Sequence, residues 1–395
     1  MDLAELKRFD EEYHLSTYGR LPVQFVRGRG TRLWDDSGKE YVDFLSGLGV
    51  VNVGHCHPKV SEAAAAQLAK LAHVSNLFYT EPQARLAERL SRLAGDGRLF
   101  FANSGAEANE GAIKLARRYS KTAFDPDRVG IVTAYRSFHG RTMKTLAATG
   151  QRDKQEPFDP MPPGFTHVPL NDLKALSAAI TSETCAVMLE VIQGEGGVFP
   201  CGEDYLRAVR ALCDERGLLL ILDEVQTGVG RTGAMFAFEH YGLKPDILTL
   251  AKALANGLPV GAVVARGDVA GAFKPGDHGS TFGGGPVVCS AALAVLDVLA
   301  SERLIERAAE TGEYFRRRLE GLAGTKESLV EVRGAGLMLA LQMGPGGAKK
   351  IAADALRDGF VINAIGEDIL RFLPPLTIGR EEIDSLIEFL DKAIE

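Results

Sequence analysis

The sequence predicts an α/β protein: a large domain on a mostly parallel, doubly wound sheet, joined to a smaller α+β domain. Three observations predict it. From about Pro58 onward, helical periodicities alternate with short apolar runs, the pattern of strands buried on both faces between covering helices. That alternation gives way after Phe282-Gly-Gly-Gly-Pro286 to a long apolar helix, a charged helical region and a further apolar run. The chain has 395 residues, enough for two cores.

In chain order, a polar helical start precedes residues 23–44, which read as short strands turning at Arg27-Gly-Arg-Gly30 and Asp36-Ser-Gly38. This is an antiparallel ribbon. Helical patterns at 60–71 and 107–119 then alternate with apolar runs at 99–101, 130–133, 186–190, 218–222 and 247–250, each read as a strand. Residues 288–299 form an apolar-periodic helix, 330–341 and 369–373 apolar segments, and a helix begins near Arg380 after the Pro374-Pro375 break. The expected division is 1–50 as an N-terminal segment belonging to the small domain, 51–288 as the large domain and 289–395 as the small domain.

Composition narrows the function. Hydrophobic residues make up 46% and charged residues 25%, ordinary for a globular chain. A net charge of -7 gives no basis for wrapping nucleic acid or lying on an anionic membrane. Residues 1–12 lack the basic start and apolar stretch of a secretory signal, and no apolar run approaches membrane-spanning length. A cytoplasmic location is expected. The five cysteines are scattered, without a C-x-x-C pair, and read as idle thiols.

The strongest local signal is Leu218-Leu-Leu-Ile-Leu-Asp-Glu-Val225, a buried strand ending in Asp223 at the sheet edge where ligands bind. A carboxylate there needs a partner. Mg²⁺ in a nucleotide site requires a G-x-x-x-x-G-K-[ST] loop, and the Gly38-Lys39 pair is followed by Glu40. The other partner is a protonated pyridine nitrogen, as in pyridoxal 5'-phosphate (PLP). Asp246-Ile-Leu-Thr-Leu-Ala-Lys252 ends a second strand in a lysine whose amine, depressed in pKa by burial, could form a Schiff base. Alone, Asp223 also fits an acid ending a strand, and Lys252 a surface cap. Both at one crevice meet what PLP needs.

The cofactor's phosphate needs an anion site. Asn103-Ser-Gly-Ala-Glu-Ala-Asn109 supplies a small-residue turn opening a helix, with Ser104 as a hydroxyl donor and Gly105 and Ala106 permitting close approach of backbone N–H groups; an ordinary capped helix fits the same residues. The loop Gly279-Ser-Thr-Phe-Gly-Gly284 adds Ser280 and Thr281. In Tyr135-Arg-Ser-Phe-His-Gly-Arg141, Phe138 can stack on a ring and Arg141 can grip a carboxylate. Gly194-Glu195-Gly196-Gly197 exposes one acid on a flexible loop. Gly54-His-Cys-His-Pro58 has no distant second pair of ligands, so no metal site is expected.

These motifs, with Gln193-Gly-Glu-Gly-Gly197, Leu222-Asp-Glu-Val-Gln-Thr-Gly228, Val332-Arg-Gly-Ala-Gly-Leu-Met338 and Arg371-Phe-Leu-Pro-Pro375, resemble nearly end to end the class III (ω-amino) aminotransferases. These are PLP-dependent transferases of fold type I. Within that family the pattern is most similar to the acetylornithine aminotransferases. The resemblance implies that Lys252 carries the cofactor, Asp223 pairs with its ring nitrogen, Gln226 lies near the ring hydroxyl, Phe138 stacks on the ring, and Gly105 and Ala106 bind phosphate. Thr281 is implied to reach the phosphate of a neighbouring subunit, which requires a homodimer with shared active sites.

For substrates, the resemblance implies that Arg141 holds the donor's carboxylate and Arg371 the α-carboxylate of glutamate or 2-oxoglutarate. Glu195 pairs with Arg371 until the second substrate arrives, and Tyr18 counts among the substrate-binding residues. The implied reaction moves the ω-amino group of N-acetylornithine to 2-oxoglutarate, in arginine biosynthesis. Gly285 departs from the Asn common in relatives, and Leu48 stands where ornithine-specific relatives tend to carry an aromatic. N-succinylornithine, carrier-bound lysine, ornithine and 4-aminobutyrate remain alternative donors. A non-catalytic PLP-binding regulator is the reading from another class.

Overall fold

The computed structural model describes residues 1–394. The N-terminal ribbon is β1 (Phe25–Arg29), β2 (Arg32–Asp35) and β3 (Glu40–Asp43), paired antiparallel. Its first turn falls at Gly30 and Thr31, later than the sequence suggested, because Gly30 takes the left-handed φ of 58° that the tight connection requires. Arg27 remains within the strand and lies over the Trp34 ring at 3.9 Å.

The large sheet has seven strands: β4 (Arg98–Ala102), β5 (Gly130–Ala134), β6 (Phe165–Val168), β7 (Thr184–Glu190), then, past the two-residue strands β8 (Ile192–Gln193) and β9 (Phe199–Pro200), β10 (Leu219–Asp223), β11 (Ile247–Leu250) and β12 (Gly261–Ala265). Their order is β4-β12-β11-β10-β7-β5-β6. Every residue of β7, β10, β11 and β12 is buried, which is why these segments are mostly apolar rather than alternating. Each fully buried Leu or Ile contributes about 1.5–3 kcal/mol to the sandwich of sheet and helices.

Two strands of this sheet were not anticipated. β6 reads Phe-Thr-His-Val, too polar to stand out because it is an edge strand. β12 runs antiparallel to both neighbours, β11 and β4, so the sheet is mostly rather than wholly parallel. Its small Gly-Ala-Val-Val-Ala sequence fits the space beneath the helix Gly105–Ala123, and a side chain on Gly261 would meet the Ser104 carbonyl at 2.3 Å.

Beyond the helices Pro286–Ser301 and Leu304–Ala323, the apolar segment at 330–341 folds as a hairpin of β13 (Leu329–Ala335) and β14 (Met338–Met343). Two short strands follow, β15 (Phe360–Val361) and β16 (Asn363–Ile365), and then β17 (Ile369–Phe372). The second sheet is β13-β14-β17-β16, and β15 extends the N-terminal ribbon by pairing parallel to β3. Arg371 on β17 thereby meets Glu195, on the loop between β8 and β9.

Candidate active site

The site begins with three strand ends. β7, β10 and β11 run parallel side by side, with Glu190 opposite Asp223 and Asp223 opposite Thr249. Lys252 follows β11 directly. Together they open into a cavity of about 400 Å³ that also meets Ser104, Gly105, Ala106, Phe138, Arg141, Glu195 and Gln226. It lies beyond the carboxyl ends of parallel strands, where unpaired backbone groups and loops leave room for ligands.

Asp223 is 4% exposed, and an anion so buried is costly without partners. It has three. Asn109 Nδ2 at 2.7 Å and His139 Nδ1 at 2.8 Å donate to Oδ2, and the Val225 N–H donates to Oδ1 at 3.0 Å. The Thr249 hydroxyl fixes Asn109 from the neighbouring strand at 2.7 Å. Burial opposes a charge on His139, but the hydrogen bond and charges of Asp223 and Glu190 outweigh it and raise its pKa.

Lys252 sits with φ of 44° in the left-handed region, a conformation costly for a side-chain-bearing residue and common where a fold holds a functional group in place. Burial lowers the pKa of its amine, with Arg371 acting the same way and Glu195, Asp223 and Glu190 against. A depressed amine is more often neutral and nucleophilic.

Arg371 is 1% exposed. Nη1 donates to Glu195 Oε1 at 2.7 Å and to the Gly194 carbonyl at 3.2 Å; Nε and Nη2 both donate to Asn363 Oδ1, at 3.0 and 2.7 Å. Burial disfavours the Glu195 anion, yet Arg371 and Lys252 hold its pKa down to about 2. Gln226 Nε2 donates to the same Glu195 oxygen at 3.2 Å, while Gln226 Oε1 is buried with no partner.

At the other end of the cavity, Ser104 caps the helix Gly105–Ala123, its hydroxyl accepting from Glu107 N at 3.2 Å. The N–H groups of Gly105 and Ala106 are in the first turn, where no intrahelical acceptor exists. A side chain on Gly105 would strike Val225 at 2.7 Å, so the backbone there packs closer than any other residue allows. Phe138 donates its N–H to Glu190 at 2.9 Å, and the exposed Arg141 guanidinium lies 5.5 Å from the Phe138 ring centroid.

Two of the expected residues lie elsewhere within a single chain. Thr281 is exposed on the loop after residue 279, beside Phe282 and His73 and outside this cavity. Tyr18 is 75% exposed, with Arg20 stacked on its ring at 5.5 Å. His55 and His57 are paired instead with Asp43 at 2.6 Å and Glu302 at 3.1 Å. Asn109 and Glu190 were not singled out from sequence. Glu190 carries the same signal as Asp223, an apolar run ending in a carboxylate, whereas Asn109 shows only as a polar residue among small ones on its helix.

The chain's residues 14–394 match the family model described as aminotransferase class-III. The chain belongs to the class-III aminotransferase family. This class III aminotransferase is 52% identical over 383 residues to an acetylornithine aminotransferase of Methanocaldococcus jannaschii, covering 97% of this chain and 96% of that one. It is 49% identical to the enzyme of that name from Caldanaerobacter subterraneus, covering 98% of each. Among solved structures it resembles the ornithine aminotransferase of Toxoplasma gondii (TM-score 0.96, 34% identity, 100% and 95% covered). The acetylornithine aminotransferase of Elizabethkingia anophelis is also similar (TM-score 0.89, 35% identity, 100% and 99% covered). No helix among the described residues is long and apolar enough to cross a membrane.

Proposed function

We propose that this aminotransferase uses PLP to move the ω-amino group of N-acetylornithine to 2-oxoglutarate, releasing N-acetylglutamate 5-semialdehyde and glutamate, a step of arginine biosynthesis. The observation that carries this reading is the single cavity lined by Lys252, Asp223 and Glu195, with Arg371 paired to Glu195 behind it at 2.7 Å. Relatives named acetylornithine aminotransferase at about half identity support the donor.

The residues present fit PLP. Gln226 Oε1, buried and unpaired, suits a ring hydroxyl, Asp223 suits a protonated ring nitrogen, and Ser104, Gly105 and Ala106 suit a phosphate. Lys252 would hold the aldehyde covalently. Bound there, PLP supplies an electron sink for the bond broken at the amino-bearing carbon.

The chain's own groups do the rest. Displaced by the donor's amine, Lys252 Nζ would be free to take the proton from that carbon and deliver it to the carbon that had held the aldehyde. Arg141 grips the donor's carboxylate, and Glu195 neutralises Arg371 while the donor, which has no carboxylate for it, is bound. For 2-oxoglutarate, Glu195 turns away and Arg371 takes the α-carboxylate bidentately. A movable acid lets one partly dry cavity accept two differently charged ligands.

A homodimer belongs to this reading. Leu77, Phe78, Tyr79 and Phe282 are 85%, 65%, 104% and 66% exposed, an apolar surface beside the Thr281 loop for a second copy to cover. That copy would contribute its Thr281 to the phosphate end, and Tyr18 would join the substrate site. The free state of all five cysteines supports a cytoplasmic location.

The test is glutamate formation from 2-oxoglutarate with N-acetylornithine, N-succinylornithine, carrier-bound lysine, ornithine and 4-aminobutyrate. The likeness to an ornithine aminotransferase structure favours ornithine as the second reading. A higher kcat/KM for ornithine than for N-acetylornithine would overturn the donor assignment.

A further inference from the structure

Glu190 ends β7 beside Asp223 and is 6% exposed. Its two oxygens are divided between two loops: Oε1 accepts from the Phe138 N–H at 2.9 Å, and Oε2 accepts from the Gly194 N–H at 3.0 Å. The other side of the Gly194 residue is committed too, since its carbonyl accepts from Arg371 Nη1 at 3.2 Å. The next residue is Glu195. A buried carboxylate with both oxygens on backbone donors has little freedom, because moving it leaves an anion and two N–H groups unpaired. The same two loops also meet where Gln193 Nε2 donates to the Tyr135 carbonyl at 2.8 Å.

We propose that Glu190 is a positioning residue for the second half of the transfer, tying the Gly194 backbone to the Phe138 backbone so that only the Glu195 side chain moves when Arg371 is released. This rests on Glu195 acting as the movable partner of Arg371. While the donor is bound, the Glu195–Arg371 ion pair itself holds the Gly194 loop. Once Glu195 turns away, the Glu190 bond to Gly194 keeps that carbonyl on Arg371, and with Asn363 it keeps the guanidinium aimed at the incoming carboxylate. Burial pushes the Glu190 carboxyl up to about 7, with Asp223 adding to the rise and His139 opposing it. Neutralising it removes its hold on one of the two N–H groups.

The experiment measures the holoenzyme and its Glu190→Gln variant by steady-state kinetics with each substrate varied, together with backbone hydrogen exchange across residues 193–197. A carboxamide can accept from one N–H but presents an NH₂ to the other. The expected result is a KM for 2-oxoglutarate raised about tenfold with the donor KM within about twofold, and faster exchange at 193–197. Glu190→Asp keeps the charge, is too short to bridge both loops, and is expected to show the same split. In the Glu195→Gln background the ion pair no longer holds the loop while the donor is bound, so adding Glu190→Gln is expected to raise the donor KM further as well as the KM for 2-oxoglutarate. Equal changes in both KM values for the single Glu190→Gln variant, unchanged exchange, or a donor KM in the double variant no higher than in Glu195→Gln alone would overturn the role of Glu190. If Glu195→Gln alone leaves both KM values untouched, the movable-partner reading falls, and this inference with it.

Discussion

His139 Nδ1 lies 2.8 Å from Oδ2 of Asp223, with both side chains buried. The contact joins the loop after β5 to the end of β10, two segments 84 residues apart, and it places a shareable proton behind the carboxylate. Oδ2 of Asp223 is therefore held by both His139 and Asn109, and Oδ1 has the Val225 N–H as its partner. The geometry fixes the carboxylate from both segments.

Asp223→Asn removes that anion while keeping the shape. With Asp223 neutral, burial dominates at His139, so its pKa falls from above the ordinary imidazole value towards or below it. An NMR titration of the imidazole reads this directly. Turnover is expected to fall about 10²–10³-fold, the usual effect of losing one preorganised electrostatic partner.

Lys252 gives a pH-dependent stability. Its pKa is lower folded than unfolded, so between the folded value and 10.5 the unfolded chain binds more protons and stability rises with pH. Below that window the full penalty of burying the amine is present. Cofactor-free Lys252→Met is therefore expected to melt above cofactor-free wild type at pH 8, with the gap narrowing as pH approaches 10.5. A gap that widens with pH would contradict the burial of the amine.

Glu195→Gln leaves Arg371 with Asn363 and Gly194 as partners but no counter-charge. The expected outcome is a lower KM for 2-oxoglutarate and a donor KM raised about tenfold, the scale of one hydrogen bond to a charged group. In wild type the pair is expected to survive acid well. The Glu195 pKa is depressed to about 2, so its contribution is complete above about 4.5 and is lost only as pH falls towards 2. Thermal melts of wild type and Glu195→Gln compared from pH 7 to 3 check this.

Gly194→Ala tests the closeness of the Gly-rich loop to Gln226. An added Cβ would lie 2.0 Å from Gln226 Oε1 and 2.5 Å from its Cδ, so the amide must turn away. Because that amide is the far end of a flexible side chain, the melting temperature is expected to move by only a few degrees, about 1 kcal/mol or less. Affinity for PLP, followed by fluorescence titration, is expected to drop about tenfold as the ring hydroxyl's acceptor is lost.

How far residues could be read before folding followed from how local their signal is. Asp223 and Lys252 announce themselves because each ends an apolar run, and a charge at the end of a buried strand has few bland explanations. Glu190 carried the same mark without being singled out. β12 and β6 were missed because one is rich in small residues and the other is a polar edge strand, so neither has the periodicity that defines a strand in isolation. Thr281 and Tyr18 are exposed in the single chain, and the second copy proposed to bring them to the site is something no local pattern describes.

The sequence by itself determined the alternation of strand and helix, the carboxylate and amine at strand ends, and the small-residue turn before the helix Gly105–Ala123. Those follow from burial periodicity and backbone sterics, which act over a few residues. Only the tertiary structure decided that Arg371 reaches Glu195 across 176 positions, that Asn109 and His139 share one oxygen of Asp223, and that Glu190 bridges two loops. Hydrogen bonds and ion pairs form over about 3 Å in space, and the chain distance between their partners is set by strand order, which no short window of residues contains.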